Sequence, residues 1–317
     1  MTLVSITLHS RLARWFMAGS VGVFGLKMLE ICLVREKREL ERMNFSELVL
    51  EIVFLTFHPN KYCPIWKAKD VPNRGWTFLK DALFIFSHFL LVSFFSIFLT
   101  SLQLAPQTQK SSANIFLRQA LIIGNAVGLF WSFVSGMGEI NNLMKRLLFA
   151  EMSCMPSIDK PWCSRSVKEL WSKRWAHLLS LLYKKTLFFP LSKILGSHIS
   201  ACVVFLFSGL LHEWQMFAAT GIFCGSEILF FCFHLLATLL QTLVSPTYNS
   251  CTRNLSLEGT TFLQFIEICF TLFFSVFTLL IFLQPFFQHH FFQEIYLQVP
   301  LKSVFQPPLT KFVDFVL

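Results

Sequence analysis

Long apolar stretches alternate along this chain with shorter polar and basic segments. A membrane-spanning helix needs about 20 mainly apolar residues, and six stretches are close to that length. They cover residues 14–34, 81–100, 115–134, 197–220, 222–244 and 260–283. A further stretch, residues 45–57, is too short to span comfortably and is typical of a re-entrant or interfacial piece. The pattern predicts an all-α fold, a polytopic transmembrane helical bundle forming a single integral membrane domain over residues 1–317.

The composition supports a membrane protein and argues against other classes. Hydrophobic residues make up 54% of the chain and charged residues 14%, whereas a soluble domain is usually about one quarter charged. The net charge of +9 raises the question of a nucleic-acid partner, but so apolar a chain gives that partner little support. The nine cysteines are scattered without a CxxC pair, so we expect no metal and no disulfide framework. The lipid bilayer is the expected surrounding.

Lysine and arginine are distributed unevenly between the predicted spans. The segment 35–80 holds nine of them, and the segment 145–193 holds ten. The loop at about 101–114 holds only Lys110. Because loops rich in Lys and Arg stay on the cytosolic side, we expect both rich segments in the cytosol and both termini in the lumen. The endoplasmic reticulum is the expected membrane.

The first span carries small and charged residues within its apolar pattern. Gly19, Gly22 and Gly25 form a stripe of small residues, which suits close packing of one helix on another. Lys27 and Glu30 make this span imperfect, because an ionisable residue within the membrane is costly.

Residues 164–185, SRSVKELWSKRWAHLLSLLYKK, form a basic amphipathic pattern before the fourth span. Ser166 and Glu169 have the spacing of a capping box, which predicts that a helix begins there. The residues that recur at helical spacing are Val167, Leu170, Trp171, Arg174, Leu178, Leu181 and Leu182. A basic helix with tryptophans is typical of the cytosolic membrane interface. It is either a surface anchor or a platform on which Arg174 and the lysines hold the phosphates of an anionic cofactor.

The fourth span contains FLFSGLLHEWQM, residues 205–216, with an ionisable pair in an apolar run. A neutral imidazole such as that of His212 can act as a general base, and Ser208 lies one turn earlier on the same face. Glu213 points about 100° away on a helix, so we expect it to pair with a neighbouring helix. The alternative is that His212 is a buried histidine hydrogen-bonded to another helix. For His88 and His234, in less distinctive settings, a structural role is the stronger interpretation.

Two segments in order, SRSVKELWSKRW (164–175) and FLFSGLLHEW (205–214), resemble the wax synthase-like branch of the membrane-bound O-acyltransferases. Glu169-Leu170-Trp171 takes the place of an Asp-Phe-Trp-like triplet, and Lys173-Arg174-Trp175 takes that of a basic pair before tryptophan. Ser208-Gly209 and His212-Glu213 match the motif that follows in the histidine-bearing span. NRGWTFLKD (73–81) is similar to a stretch before an early span of these enzymes. The motif-bearing core covers about 73–244.

The resemblance implies transfer of an acyl group from acyl-CoA to an alcohol hydroxyl inside a helical chamber. His212 would be the general base, Lys173 and Arg174 would bind the acyl-CoA co-substrate, and no metal or resident cofactor would be needed. The residues expected to support the reaction are Ser208, Glu213, Trp171, Trp175 and His177. The acceptor would be a lipophilic alcohol: a long-chain alcohol, giving a wax ester, or the hydroxyl of a sterol or terpenoid.

The chain departs from this family pattern directly after the first motif. Many relatives carry a polar residue there, often Asn, whereas this chain has Ala176 followed by His177. Either His177 takes over that role, or the role is missing. The alternative to an enzyme is therefore a catalytically weak or inactive membrane protein of the same fold that binds or transports lipid.

Overall fold

A computed structural model describes residues 10–34, 74–104, 112–148, 158–252, 257–292 and 294. Within these ranges the chain folds into helices, and no strand occurs among the described residues. The α-helices are α1 (Arg11–Leu29), α2 (Arg74–Leu104), α3 (Ser112–Leu148), α4 (Val167–Glu169), α5 (His177–Tyr183), α6 (Phe189–Thr220), α7 (Ser226–Thr252) and α8 (Leu257–Gln288). Three π-helical turns, Glu30–Val34, Leu170–Arg174 and Lys184–Phe188, continue α1, α4 and α5. The predicted interfacial piece at 45–57 lies outside the described residues.

The six predicted spans are confirmed as helices in the described part of the chain. Those long and apolar enough to cross a membrane are Arg11–Cys32, Phe78–Gln103, Ile115–Met144, His177–Thr220, Ser226–Ser245 and Thr260–Gln288. Large apolar side chains cover their outer surfaces, as in Phe273 of α8, which is 71% exposed. A soluble helix would not leave such residues in water, so these faces suit contact with lipid tails.

The start of the fifth span differs from the prediction of 222–244. The helix α7 begins at Ser226, because residues 221–225 form a turn. Gly221 (φ 76°) and Gly225 (φ 75°) adopt left-handed conformations there, which glycine reaches without steric cost.

One compact unit comprises residues 1–14, 69–151 and 283–317. Its described core is the pair α2 and α3, in which buried Phe98 and Leu102 pack against Leu121 and Ile122. His88 is buried in this unit, and its Nδ1 bonds the Phe84 carbonyl of its own helix at 2.9 Å.

The second compact unit comprises residues 15–68 and 152–282, and it contains all the residues of the two sequence motifs. In this unit α1 packs closely on α6: a Cβ atom at Gly19 would lie 1.8 Å from Gln215 Nε2, and one at Gly22 would lie 2.1 Å from Leu211 Cδ1. The predicted small-residue stripe is thus confirmed at these two positions, while a Cβ at Gly25 would meet nothing within 4 Å.

The predicted amphipathic helix over 164–185 is divided in two. The helical turns that begin at Val167 end at Arg174, and Trp175 is extended with φ −104° and ψ 131°. Ala176 then adopts a left-handed conformation with φ 45° and ψ 56°, and a new helix begins at His177. A break of this kind is invisible to hydrophobic periodicity, because the apolar residues on both sides keep helical spacing. The fourth span therefore begins at 177 instead of 197, with a kink at Gly196 (φ 78°).

Candidate functional site

The first motif segment is held in place at its N-terminal end by side chains from two elements. The Ser166 Oγ accepts a hydrogen bond from the Glu169 backbone N–H at 3.0 Å, as the capping spacing predicts. The Gln241 Oε1 of α7 accepts from the Val167 N–H at 3.0 Å and from the Lys168 N–H at 3.5 Å. The donors that a helix start leaves unsatisfied are therefore occupied, and α4 is fastened to α7.

Glu169 and Arg174 are bound to each other within the motif segment. Arg174 Nη2 lies 2.8 Å from Glu169 Oε1, and the Glu169 Oε2 accepts from the Arg165 backbone N–H at 3.0 Å. Burial opposes ionisation of Glu169, but these hydrogen bonds outweigh it and lower the pKa of its carboxyl. Arg174, expected from the resemblance to bind acyl-CoA, thus has a carboxylate partner in its own segment.

Trp171 turns into the protein. Its indole Nε1–H donates to Nδ1 of His234 on α7 at 2.8 Å, and its ring meets Phe231 with centroids 5.5 Å apart. His234 is 1% exposed, and its Nε2 lies 2.8 Å from Thr278 Oγ1 of α8. The surface-anchor interpretation does not hold for Trp171, because the side chain packs among protein aromatics.

His212 lies on α6 among aromatic rings of two other helices. Its ring stacks on Phe231 with centroids 5.3 Å apart and an interplanar angle of 15°. It meets Phe282 of α8 edge-on at 5.2 Å. The residue is partly exposed, yet its Nδ1 is buried and has no hydrogen-bond partner among the described residues; the imidazole interacts with the side chain of Gln215 on the same helix. An imidazole nitrogen left uncommitted in this way can accept a proton.

Glu213 fixes the turn that joins α6 to α7. It is fully buried, and its Oε1 accepts from the backbone N–H groups of Cys224 and, at 2.6 Å, Gly225. Sequence reasoning expected a partner on a neighbouring helix. Glu213 bonds the backbone that leads into α7, and its side chain also interacts with that of Glu227 on α7. Because the turn sets where α7 begins, Glu213 also fixes where Phe231 stands against His212.

The glycine of the second motif allows α6 and α7 to approach each other. A Cβ at Gly209 would lie 3.0 Å from the Ile228 backbone Cα and 3.4 Å from Phe231 Cβ. Ser208, beside it, is buried and hydrogen bonds with the hydroxyl of Tyr183. The Ser-Gly pair therefore lies where α6 packs against α5 and α7.

Trp175 and His177 lie around the break in the amphipathic segment. The Trp175 ring is 6.3 Å from that of Trp171. His177 has Asp159 and Lys184 as charged neighbours. Lys184 donates to the Ser172 carbonyl at 2.7 Å and so links the helical turns on the two sides of the break.

An open cavity of about 700 Å³ lies where the motif segment, α7 and α8 meet. Arg165, Lys168 and Lys173 line one part of it, and Leu240, Val244, Ile266 and Phe270 line another. Arg165 is paired with Glu267 at 2.6 Å, and this hydrogen bond raises the pKa of its guanidinium above the ordinary value. Lys168 and Lys173 are exposed and make no ion pair within the described part of the chain. The cavity thus offers two free ammonium groups beside an apolar wall.

Sequence reasoning missed two residues that assemble this region, Gln241 and Phe231, and it did not connect a third, His234, to its partner. A glutamine within a span is a polar signal that could have been followed, since such groups usually bond another helix. Phe231 gave no signal, because most phenylalanines of the chain face lipid or core. His234 was noticed but could not be joined to Trp171, which is 63 residues away.

Comparison with known families agrees with the two motifs. Residues 154–233 match the model of a family described as "Membrane bound O-acyl transferase family". The match spans both motifs, Trp171, His212 and Phe231, and covers 80 of the 317 residues. No curated protein matches the chain. Over residues 154–233, this integral membrane helical protein is therefore similar to the membrane-bound O-acyltransferases.

Proposed function

We propose that this protein is an acyl-CoA:alcohol O-acyltransferase with His212 as the general base. One observation carries the proposal: in the region similar to acyltransferases, His212 has a buried ring nitrogen without a partner among the described residues. His88 also has a buried ring nitrogen without a partner among the described residues, but it lies outside the matched residues 154–233. The position of His212 within that region therefore distinguishes the two histidines. A substrate hydroxyl is the partner that this nitrogen lacks.

The reaction then follows from the chemistry of the two substrates. A ring nitrogen of His212 takes the proton of the acceptor hydroxyl while the oxygen attacks the thioester carbonyl carbon. The carbon–sulfur bond breaks, and the imidazolium returns its proton to the CoA thiolate, giving an ester and CoA. Proton transfer of this kind contributes roughly 10²–10⁴-fold, and holding both substrates in one site lowers the barrier further.

The cavity beside the motif segment is the proposed binding site for the phosphates of acyl-CoA. Lys168 and Lys173 have free ammonium groups there, whereas the Arg174 guanidinium is occupied by Glu169. Gln241 at the cavity and Phe231 at His212 are ten residues apart on α7, about 15 Å along a helix axis. The pantetheine part of acyl-CoA would extend over this distance beside Trp171 and place the thioester at His212.

The acceptor proposed is a lipophilic alcohol from the bilayer. The ring of His212 stands among Phe231 and Phe282, with Phe230 in contact with both of these phenylalanines. Such a wall favours a hydrocarbon chain or a fused-ring skeleton over a sugar or a peptide. Wax-ester formation from a long-chain alcohol and acylation of a sterol or terpenoid are the two variants, with the endoplasmic reticulum as the membrane.

A second candidate is a lipid-binding protein of the same fold without catalysis. Ala176 is the observation that favours it, since no side-chain amide is available where relatives often have Asn. Whether His177 takes over that role is the open alternative; its charged neighbours are Asp159 and Lys184.

A substrate panel distinguishes the two candidates. Microsomes containing the wild type, His212→Ala or the control His198→Ala, an exposed histidine of the same helix, are given labelled acyl-CoAs with alcohol, sterol and terpenoid acceptors. We expect ester from the wild type and the control, and none above background from His212→Ala. Equal ester from all three proteins would contradict the role of His212. Absence of product from the wild type with every pair would favour the lipid-binding candidate.

A further inference from the structure

His234 is a second histidine in the same compact unit, and both of its ring nitrogens are occupied. Nδ1 accepts from the Trp171 indole at 2.8 Å, and Nε2 lies 2.8 Å from the Thr278 hydroxyl. The ring is enclosed by Phe230 and Phe274, with centroids at 4.4 and 5.1 Å. The arrangement joins α4, α7 and α8 through one buried side chain.

The donor groups fix which ring nitrogen carries the proton. An indole N–H can only donate, so Nδ1 of His234 must be unprotonated. A neutral imidazole then carries its hydrogen on Nε2, and Nε2–H donates to Thr278 Oγ1. The Thr278 hydroxyl in turn donates to the Phe274 carbonyl at 2.8 Å. Every hydrogen in the chain Trp171–His234–Thr278 therefore has an acceptor, and no lone pair of the ring remains for catalysis.

Trp171 also connects this series of hydrogen-bonded side chains to the residues around His212. The Trp171 ring contacts Phe231 at 5.5 Å, and Phe231 stacks on His212 at 5.3 Å. Phe230 meets both Phe231 and His234, at 5.1 and 4.4 Å. A change in the orientation of Trp171 would thus alter the aromatic wall of the proposed acyl-transfer site.

We infer that His234 is a positioning residue: with Thr278, it holds the Trp171 indole in the orientation that shapes the wall beside His212. The inference rests on the proposed acyltransferase function for its effect on rate, but not for the hydrogen bond itself. His234 does not contact substrate in this role and exchanges no proton with it.

The first arm of the test observes the hydrogen bond without any activity. The chain contains eight tryptophans, and ¹⁵N-tryptophan labelling in detergent gives their indole N–H resonances, with Trp171→Phe identifying that of Trp171. A hydrogen-bonded indole proton resonates downfield, so we expect an upfield shift in His234→Phe. His234→Asn should keep most of the downfield shift, because the Asn oxygen can accept where Nδ1 did. An unchanged resonance in His234→Phe would overturn the inference.

The second arm measures acyl transfer with saturating and limiting acceptor. A buried donor without an acceptor costs enough that we expect kcat to fall about tenfold or more in His234→Phe, with recovery to within a few-fold in His234→Asn. Thr278→Val should lower kcat by a smaller factor, because Nε2–H then loses its acceptor. Thr242→Val is the matched control, since among the described residues the Thr242 hydroxyl bonds only the Thr238 carbonyl of its own helix. Equal rates in Thr278→Val and Thr242→Val, or equal loss in His234→Phe and His234→Asn, would contradict the inference.

The two arms separate the failure of this inference from failure of the proposed function. If the wild type transfers no acyl group, the resonance of Trp171 in His234→Phe and His234→Asn decides the positioning role alone. If His234→Phe does not fold, His234→Asn and Thr278→Val still report on the hydrogen bond.

Discussion

His212 and His234 lie in neighbouring spans of one compact unit, but their ring nitrogens are used in opposite ways. His212 contacts Phe231 and His234 contacts Phe230, and these two phenylalanines contact each other. His234 has a donor on one nitrogen and an acceptor on the other, supplied by Trp171 and Thr278. His212 has a buried nitrogen with no partner among the described residues. The first arrangement builds structure, and the second is the one we propose as the base for a substrate.

The same distinction separates the basic residues of the motif segment. Arg174 is bound to Glu169, and Lys184 donates to the Ser172 carbonyl. Lys168 and Lys173 line the open cavity without an ion pair in the described part of the chain. Residue type and motif position made Arg174 and Lys173 equivalent, and only their partners distinguish them. The polar groups proposed to act on substrate are therefore those without a bonding partner among the described residues.

The strongest test replaces each histidine by the same residue. In His212→Asn we expect ester formation to fall roughly 10²–10⁴-fold, because an amide cannot act as a base at neutral pH. In His234→Asn we expect a loss of no more than a few-fold, since the amide oxygen still accepts from Trp171. Initial rates at matched membrane expression measure both. Similar losses of ester formation in the two variants would contradict the different roles given to the two histidines.

The second test applies the comparison to the two basic neighbours. Lys173→Gln should raise the apparent KM for acyl-CoA about tenfold, because a charge-assisted hydrogen bond is worth about 1.5–3 kcal/mol. Arg174→Gln should change that KM little and instead lower the free energy of unfolding by about 1 kcal/mol, because Glu169 loses its partner. Acyl-CoA titrations and thermal unfolding in detergent provide the two readouts. A large KM effect from Arg174→Gln alone would restore it as the phosphate ligand.

The third test asks whether the wall at His212 needs the close approach of α6 and α7. Gly209→Val would press against the Ile228 backbone, and overpacking of this kind costs typically 1–3 kcal/mol. Gly25→Val is the matched control, since a Cβ there meets nothing within 4 Å. Thermal unfolding of the two variants compares the costs. Equal stability would show that the helices separate without penalty.

The smallest expected effect concerns Ala176, the left-handed residue between Trp175 and α5. Asn is tolerated in this conformation better than other residues with a Cβ, so Ala176→Asn should raise the free energy of unfolding by up to about 1 kcal/mol. Ala176→Val should lower it, because a β-branched residue is strained there. Thermal unfolding measures both changes in stability. The rate of acyl transfer by Ala176→Asn then helps to distinguish the acyltransferase from the lipid-binding candidate. A gain in rate beyond the gain in stability would indicate that the amide serves the reaction.

The sequence by itself determined the spans, the small-residue packing of Gly19 and Gly22, and the cap at Ser166. These features depend on hydropathy over about 20 residues or on spacings within one helical turn, so local pattern is sufficient. The unusual histidine at position 212 was visible for the same reason, as a polar residue in an apolar run.

Only the tertiary structure decided which of these polar residues are already bonded. Trp171 has the pattern of an interfacial anchor, yet its indole N–H donates to His234, which is 63 residues away in sequence. His234 in turn is hydrogen-bonded to Thr278, 44 residues further along the chain. The break at Ala176 and the pairing of Arg174 with Glu169 were likewise hidden, because periodicity on both sides of the break is preserved. A hydrogen bond depends on positions in space that helix packing sets, and no spacing along the chain records them.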